Sequence, residues 1–396
     1  MVSDNFKPIA YPDIEKYELF KKKGNIMYCI GTIENDSFII VPNEQVSLIL
    51  RLLKLMNGKL SVSDIQKFAK ENNMSIDIKS LITKLGRAGL IKNFNEHYKF
   101  SELQLFSFSM LSIDISLFCN YIKKRGMFLT IILILMLIVT ILYVTIFLPS
   151  RISFNFNNII KYDNSYLKNI ILSLIFTIPC FLVHELGHII FATRYGLTSN
   201  KLNMGLYYFV IPIVYVKIQG LYALPPFKRV RVLIAGIVFN FIFGLSCLFM
   251  WYIFEIEIFK TLFFVNIQIA FLNLTPFTFS DGYFIFSIVI GEPNLRYQYY
   301  KFLAGIVNKK FRYKLTFKQL IYIICSIVIT ILYIIVQVKV LDNVLYETLQ
   351  KYGFGFSQER RFFIYTAMNI LIVSALYLFI YKRSIKYLNA TLAKDF

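Results

Sequence analysis

Residues 170–191 read IILSLIFTIPCFLVHELGHIIF, an apolar run that contains a histidine, a glutamate and a second histidine. The run has about the 20 residues that a helix needs to cross a bilayer. His184 and His188 lie four residues apart, so on a helix both imidazoles share a face and can reach one metal ion. Glu185 lies beside them. Because ionisable side chains are costly in hydrocarbon, they mark functional sites. The stretch predicts a membrane span with a polar site; the alternative is a pair of interhelical hydrogen bonds.

Composition supports a membrane protein. Of the 396 residues, 57% are hydrophobic and 17% are charged, whereas a soluble domain carries about a quarter charged residues. These values exclude a disordered chain and an ordinary soluble enzyme. The net charge of +20 is explained by Lys and Arg on cytoplasmic loops. The first 25 residues are polar and charged, so we expect no cleavable signal peptide.

Hydropathy predicts six spans in a block that covers residues 127–396. They are Met127–Leu148, Ile170–Phe191, Val232–Phe254, a fourth that starts near Leu262 and is broken around Pro276–Gly282, Leu320–Val338, and Phe362–Tyr381. Basic residues cluster on alternate loops, with the loop at 150–169 as the exception. The positive-inside rule then predicts a multi-pass protein of the cell membrane with both termini in the cytoplasm.

Residues 1–100 predict a small soluble domain that precedes the spans. We expect a strand at Phe38–Pro42, helices at Asn43–Met56, from Ser63 onward and at Asp77–Ala88, and a strand after Gly89. This order is typical of a winged helix. The segment LGRAGLI (Leu85–Ile91) resembles the C-terminal helix of PqqD-like leader-peptide-binding domains. A DNA-binding winged helix and a simple packing domain are the alternatives. Residues 101–126 are expected to form an interfacial linker at the membrane surface.

A third metal ligand is predicted in residues 273–282, which read NLTPFTFSDG. A catalytic zinc site uses three protein ligands and leaves one position for water. Asp281 lies in a break between two apolar half-helices, and Pro276 and Gly282 explain that break. The predicted topology places Asp281 at the same depth as the two histidines. The alternative is an ordinary loop with Asp281 as a helix N-cap.

With both motifs in order, the sequence resembles the site-2 protease family of intramembrane zinc metallopeptidases. The resemblance rests on HELGH (184–188) followed by Ala192 and Gly196, and on Asn273, Pro276, Asp281 and Gly282. It implies that His184, His188 and Asp281 bind Zn²⁺, that Glu185 is the general base, and that Asn273 contacts the substrate backbone. The segment AGIVFN (235–240) is similar to a third family motif, with Ile237 where proline is usual.

The expected fold is mainly α: a polytopic six-helix transmembrane zinc protease core with an N-terminal soluble winged-helix-like α+β domain. The layout resembles peptide zinc metalloproteases that act on ribosomally made, modified peptides. This implies a peptide or membrane-protein substrate, contact with the lipid bilayer, and a peptide exporter as a further partner. Residues 206–217 are rich in β-formers and are predicted to form a membrane-associated strand that pairs with the extended substrate. A re-entrant or interfacial stretch that only packs is the alternative.

Three other function classes stay open at this point. They are a non-catalytic membrane protein for peptide binding or immunity, a membrane-tethered winged-helix regulator, and a transporter. Residues 1–126 hold 18 Lys and Arg against 13 Asp and Glu, with no basic stripe on the third helix. Nucleic acid is therefore not an expected partner.

Overall fold

The computed structural model describes most of the chain up to residue 332. The described residues are 3–94 except 23, 24, 73 and 75; 107–147; 166–332 with gaps at 208–210, 278–279, 293–294, 308–314 and 330; and the single residues 371, 378 and 382. The predicted sixth span, Phe362–Tyr381, and the second half of the fifth therefore lie outside the described residues, apart from those single positions.

The N-terminal domain consists of a three-stranded sheet followed by three helices. Its elements are β1 (Glu15–Lys22), β2 (Asn25–Thr32), β3 (Ser37–Pro42), α1 (Asn43–Leu55), α2 (Val62–Glu71) and α3 (Ile78–Arg87). The strands form an antiparallel meander in the order β1-β2-β3. Side chains of Ile30, Ile49, Leu52, Ile65, Ile82 and Leu85 form the centre of its core. The sheet and the three helices thus share an apolar core.

Local hydrogen bonds explain where these helices begin. Ser61 and Asp64 form a reciprocal capping box at the start of α2, so this helix begins at Val62, one residue before the predicted Ser63. Asp77 caps α3 by accepting from the Lys79 and Ser80 amides. The predicted strand after Gly89 is wrong, because this stretch forms a single bridge between Ile91 and Ala10. β1 and β2, which the sequence analysis missed, supply the sheet instead.

Apolar helices make up the second part of the chain. They are α4 (Ser116–Phe147), α5 (Tyr166–Arg194), α6 (Pro226–Phe254), α7 (Glu257–Leu274), α8 (Asp281–Ile290), α9 (Leu295–Val307) and α10 (Phe317–Ile329). Among the described residues, three segments are long and apolar enough to cross a membrane: Ile175–Arg194, Pro226–Phe254 and Glu257–Leu274.

These three segments match the second, third and fourth predicted spans, and α4 covers the first. The fourth span begins at Glu257, five residues earlier than predicted, because only two residues separate it from α6. The break predicted around Pro276–Gly282 is present between α7 and α8. The described residues thus support a membrane-helix core of three candidate spans, and the six-helix count is not shown.

A second sheet lies beside these helices and includes part of the predicted linker. Its strands are β4 (Ser107–Asp114), β5 (Thr198–Tyr207) and β6 (Ile211–Gln219), antiparallel in the order β4-β5-β6. The single strand predicted over 206–217 is therefore a hairpin. A continuous run of β-forming residues hides such a turn from a propensity argument.

The N-terminal sheet docks on the start of α6 through one buried cation. Arg229 is 2% exposed, and its Nη2 donates to the backbone oxygens of Glu18 (3.0 Å) and Leu19 (2.6 Å) in β1. Nearby, the Cys29 thiol lies 3.4 Å from the backbone oxygen of Tyr222, just before α6. Burial of a charged group is costly unless it is hydrogen-bonded, so the two bonds from Nη2 tie the N-terminal domain to the membrane helices.

Cys29 reports on this docking. Burial raises the pKa of its thiol to about 11, although the nearby Arg229 charge opposes the shift. At pH 8 about one thiol in a thousand is then ionised, and the thiolate is the form that reacts. We expect Cys29 to resist iodoacetamide at pH 8 and its labelling rate to rise with pH. Arg229→Ala should speed labelling at least tenfold, as measured by peptide mass spectrometry.

The exposed neighbour Lys228 provides the matched control, since Lys228→Ala leaves the docking contacts in place. Wild-type labelling at the rate of a free cysteine would contradict the docked arrangement.

Candidate active site

Helix α5 carries the first part of the site on its buried face. His184, Glu185 and His188 are 3%, 7% and 6% exposed, although each is ionisable. The histidines are one turn apart, so their rings meet edge to face with centroids 4.7 Å apart. The same helix therefore brings both imidazoles to one point, as the HELGH spacing predicts.

Asp281 reaches that point from the first residue of α8. The chain leaves α7 at Thr275, and Ser280 ends the break by donating its hydroxyl to the Thr275 carbonyl at 2.7 Å. A Cβ on Gly282 would lie 2.4 Å from the Leu274 backbone oxygen. Gly282 is helical, so the expected reason for this glycine, unusual dihedrals, is wrong. It permits close approach of the two half-helices, which directs Asp281 inward.

Three potential ligand atoms converge. Asp281 Oδ2 lies 2.9 Å from His184 Nε2 and 3.1 Å from His188 Nε2, and the two nitrogens are 3.1 Å apart. Among the described residues, these three form the one group of His, Cys, Asp or Glu side chains with metal-binding geometry. Zinc with bonds of about 2.0–2.1 Å places tetrahedral ligand atoms roughly 3.3 Å apart. A shift of a few tenths of an ångström would therefore suit the ion.

The second ring nitrogens show which atoms are available to a metal. His188 Nδ1 lies 2.8 Å from the Val232 backbone oxygen, which can only accept, so Nδ1 carries the proton. His184 Nδ1 faces Asn240 Oδ1 at 3.2 Å in the same way. In the neutral rings, both Nε2 lone pairs then point at Asp281. Lone pairs that face one another repel unless a cation lies between them, so this donor set fits a divalent metal.

Helix α6 leaves room for the two rings at Gly236. A Cβ there would lie 2.6 Å from His188 Nε2 and 2.8 Å from His184 Cε1. Asn240 lies one turn further along α6 and is fully buried. Despite Ile237 in place of the usual proline, the AGIVFN segment thus supplies both the space and a polar contact for the imidazoles.

Glu185 faces a different neighbour. Its Oε2 accepts a hydrogen bond from the Val216 backbone N–H in β6, at 2.8 Å. Because Glu185 is next to His184 on the helix, about 100° round the axis, it lies beside the three converging atoms and is held by the sheet. The carboxylate is thereby fixed at the boundary between α5 and β6.

Asn273 is the predicted site residue that the structure does not join to the others. It lies half-buried in the last turn of α7, eight residues before Asp281. Among the described residues, no hydrogen bond connects its side chain with His184, His188 or Asp281. Its position beside the break between α7 and α8 leaves the predicted contact with substrate as an expectation.

Two groups that position the site side chains are not predicted from the sequence, because they belong to the backbone. The Val232 carbonyl orients His188, and the Val216 amide holds Glu185. Any residue except proline offers these groups, so no residue type signals them. The contacts of Gly236 and Asn240, by contrast, fall within a motif that the sequence analysis had singled out.

Residues 170–256 match the family model described as Peptidase family M50, the site-2 protease family. This match is less than a quarter of the chain. It covers α5, β5, β6 and α6, and it ends before Asp281. Searches of curated proteins and of solved structures gave no match. Peptidases of this family are zinc-dependent metallopeptidases. Together with the apolar helices, the match indicates a membrane peptidase domain; the PqqD-like assignment of the N-terminal domain is not confirmed.

Gly236 allows a test of the converging site that does not depend on activity. Gly236→Ala would place a methyl group against both imidazoles, so we expect zinc affinity to fall at least tenfold. The measurement is zinc content by mass spectrometry, together with competition against a chelator. Gly244→Ala on the same helix is the control, because its Cβ would meet Asn266 Cβ at 3.2 Å, away from the site. Equal zinc binding by the two variants would contradict this arrangement.

Proposed function

We propose that the protein is an intramembrane zinc metalloprotease in which His184, His188 and Asp281 hold the ion. The observation that carries this proposal is the convergence of two Nε2 atoms and one carboxylate oxygen within 3.1 Å, from α5 and α8. Three protein ligands leave a fourth position for water, as hydrolytic zinc sites require. The M50 match over residues 170–256 independently supports peptide-bond hydrolysis.

In this proposal, Glu185 is the general base. Zinc at this site would acidify a bound water and polarise the scissile carbonyl. Glu185 accepts a proton from the attacking water and later delivers it to the leaving amine. The Val216 N–H holds one carboxylate oxygen of Glu185, which leaves the other oxygen to act on the proton. The buried position of Glu185 keeps competing bulk water away from this transfer.

The substrate segment must be extended before its carbonyl can reach the site, because a helix uses its carbonyls internally. We propose that the substrate adds to β6, where the described sheet ends. Alternate residues of an antiparallel strand direct their backbone groups to opposite edges. The backbone N–H and C=O groups of Val214 and Ile218 therefore point to the same edge of β6 as those of Val216. This edge adjoins Glu185. Asn273 is proposed to hold the substrate backbone from the opposite helix.

We propose a membrane-associated or leader-bearing peptide as the substrate, such as a ribosomally made, modified peptide or bacteriocin. The docked N-terminal domain is well placed to receive a leader, since it lies on the same side of the helices as the β5–β6 hairpin. With basic loops inside, this side is the cytoplasm, and a peptide exporter is the further proposed partner. A non-catalytic peptide-binding or immunity protein is the main alternative, and metal content with turnover distinguishes the two.

Separate substitutions distinguish the base from the metal ligands. Glu185→Gln keeps an acceptor for the Val216 amide and removes the base, so we expect full zinc content and at least a hundredfold loss of turnover. His188→Ala should lose zinc as well. The assay is zinc-dependent cleavage of a membrane-anchored or leader-bearing peptide by purified protein, followed by mass spectrometry of the products.

Glu257→Gln is the matched control for the glutamate substitution, because Glu257 is exposed at the start of α7. A Glu185→Gln variant that retains full turnover would exclude Glu185 as the base. A zinc-loaded wild-type protein that cleaves neither class of peptide would favour the non-catalytic alternative.

A further inference from the structure

Strand β6 contacts the proposed base and the N-terminal domain at consecutive residues. The Val216 N–H donates to Glu185 Oε2 at 2.8 Å, and Lys217 Nζ lies 2.8 Å from Asp36 Oδ2. Asp36 belongs to the turn between β2 and β3 of the N-terminal sheet. A displacement of this turn would therefore act on the same short stretch of backbone that holds Glu185.

Asp36 makes a second contact just beyond the end of β6. Its Oδ1 accepts from the Gly220 N–H at 3.0 Å, so both carboxylate oxygens are bound to the stretch 217–220. The Asp36 side chain is only 15% exposed. Asp36 has a φ of +49°, a conformation that Asp and Asn tolerate better than most residues. The Asp36 carboxylate thus binds the end of β6 from the β2–β3 turn.

The β2–β3 turn and the end of β6 also fit closely at Gly220. This residue has a φ of +74°, and a Cβ there would lie 2.7 Å from Ile33 Cγ2 in the same β2–β3 turn. A side chain at this position would push the N-terminal turn away from β6. Steric fit and hydrogen bonding therefore act together at one contact.

The two interactions of Asp36 differ in strength. Lys217 is 59% exposed, so its ion pair is screened by solvent and contributes little. The bond from the Gly220 amide reaches a mostly buried carboxylate, and such charge-assisted bonds are the stronger kind. The backbone contact is thus the stronger of the two at the end of β6, and an amide oxygen at position 36 could still accept it.

We propose that Asp36 is a positioning residue for Glu185. By holding the end of β6, it keeps the Val216 N–H where it binds the carboxylate of the base. The N-terminal domain then has a direct part in organising the active site, whichever peptide it receives. The catalytic part of this inference rests on the proposed function, whereas the structural link between Asp36 and Val216 does not.

Amide hydrogen exchange of the full-length protein in a membrane mimetic tests the structural link. Bonding to Glu185 protects the Val216 amide, which would otherwise face an unpaired strand edge. Asp36→Gly removes both contacts and suits the positive φ, so Val216 exchange should accelerate at least tenfold. Asp36→Asn keeps the acceptor for Gly220 and should restore protection. Gly220→Ala disrupts the same contact at the end of β6 and should also accelerate exchange of the Val216 amide.

Kinetics test the catalytic consequence. With a cleavable peptide, Asp36→Gly should lower kcat at least tenfold while KM changes less than threefold and zinc content stays at the wild-type level. Asp36→Asn should recover most of kcat. Asp4→Asn is the control, because Asp4 forms an exposed ion pair with Lys79 within the N-terminal domain.

Each result decides one point. Unchanged Val216 exchange in both Asp36→Gly and Gly220→Ala overturns the inference, whether or not the protein is a protease. Faster exchange with unchanged kcat overturns the positioning role. Equal losses of kcat in Asp36→Gly and Asp36→Asn overturn it as well, because the retained acceptor should matter. If the wild type cleaves no peptide, the proposed function fails, and the exchange data still decide the structural link.

Discussion

Two imidazole nitrogens and a carboxylate oxygen meet within 3.1 Å of one another among apolar helices. Burying such groups is costly unless each is paired or bound to a metal. The protein meets this requirement in two layers. Val232 and Asn240 satisfy the outer ring nitrogens, and the inner set of two Nε2 atoms and the Asp281 carboxylate fits a divalent metal. Polar contacts therefore join helices α5, α6 and α8 within the apolar packing.

Backbone proximity is the second condition for this arrangement. A Cβ on Gly187 would lie 2.7 Å from the Ala235 carbonyl, so α5 and α6 approach closely beside the histidines. Gly236 leaves space for the rings, and Gly282 lets α8 pack against the end of α7. Each glycine lacks a side chain at a position where two backbones, or a backbone and an imidazole, lie close together. These small residues set the distances on which the converging ligand atoms depend.

The sheet and the N-terminal domain extend the same set of contacts away from the converging residues. Glu185 is bonded to β6, β6 is bonded to the β2–β3 turn, and Arg229 of α6 is bonded to β1. The N-terminal domain is thus connected with the site along two routes, one through a strand and one through a helix. An arginine that is 2% exposed, with Nη2 donating to two main-chain oxygens, favours a fixed rather than a transient contact.

The sequence by itself determined the parts of the protein that depend on local pattern. The HELGH spacing, the apolar run around it and the break before Asp281 predicted the helices that carry the converging residues. The boundaries of α2 and of the fourth span shifted by a few residues, because caps and loop lengths depend on individual hydrogen bonds. The count of six spans extends beyond the described residues, and the predicted strand after Gly89 proved to be a single bridge.

Only the tertiary structure decided which backbone groups complete the site. The Val232 carbonyl and the Val216 amide are properties of every residue type that could stand there, so nothing in the sequence marks them. The docking of Asp36 on Gly220 joins positions 184 residues apart, and neither residue belongs to a motif. Side-chain motifs and periodicity can be identified from residues that are close in sequence. The pairing of distant main-chain groups, in contrast, depends on how the helices and sheets pack.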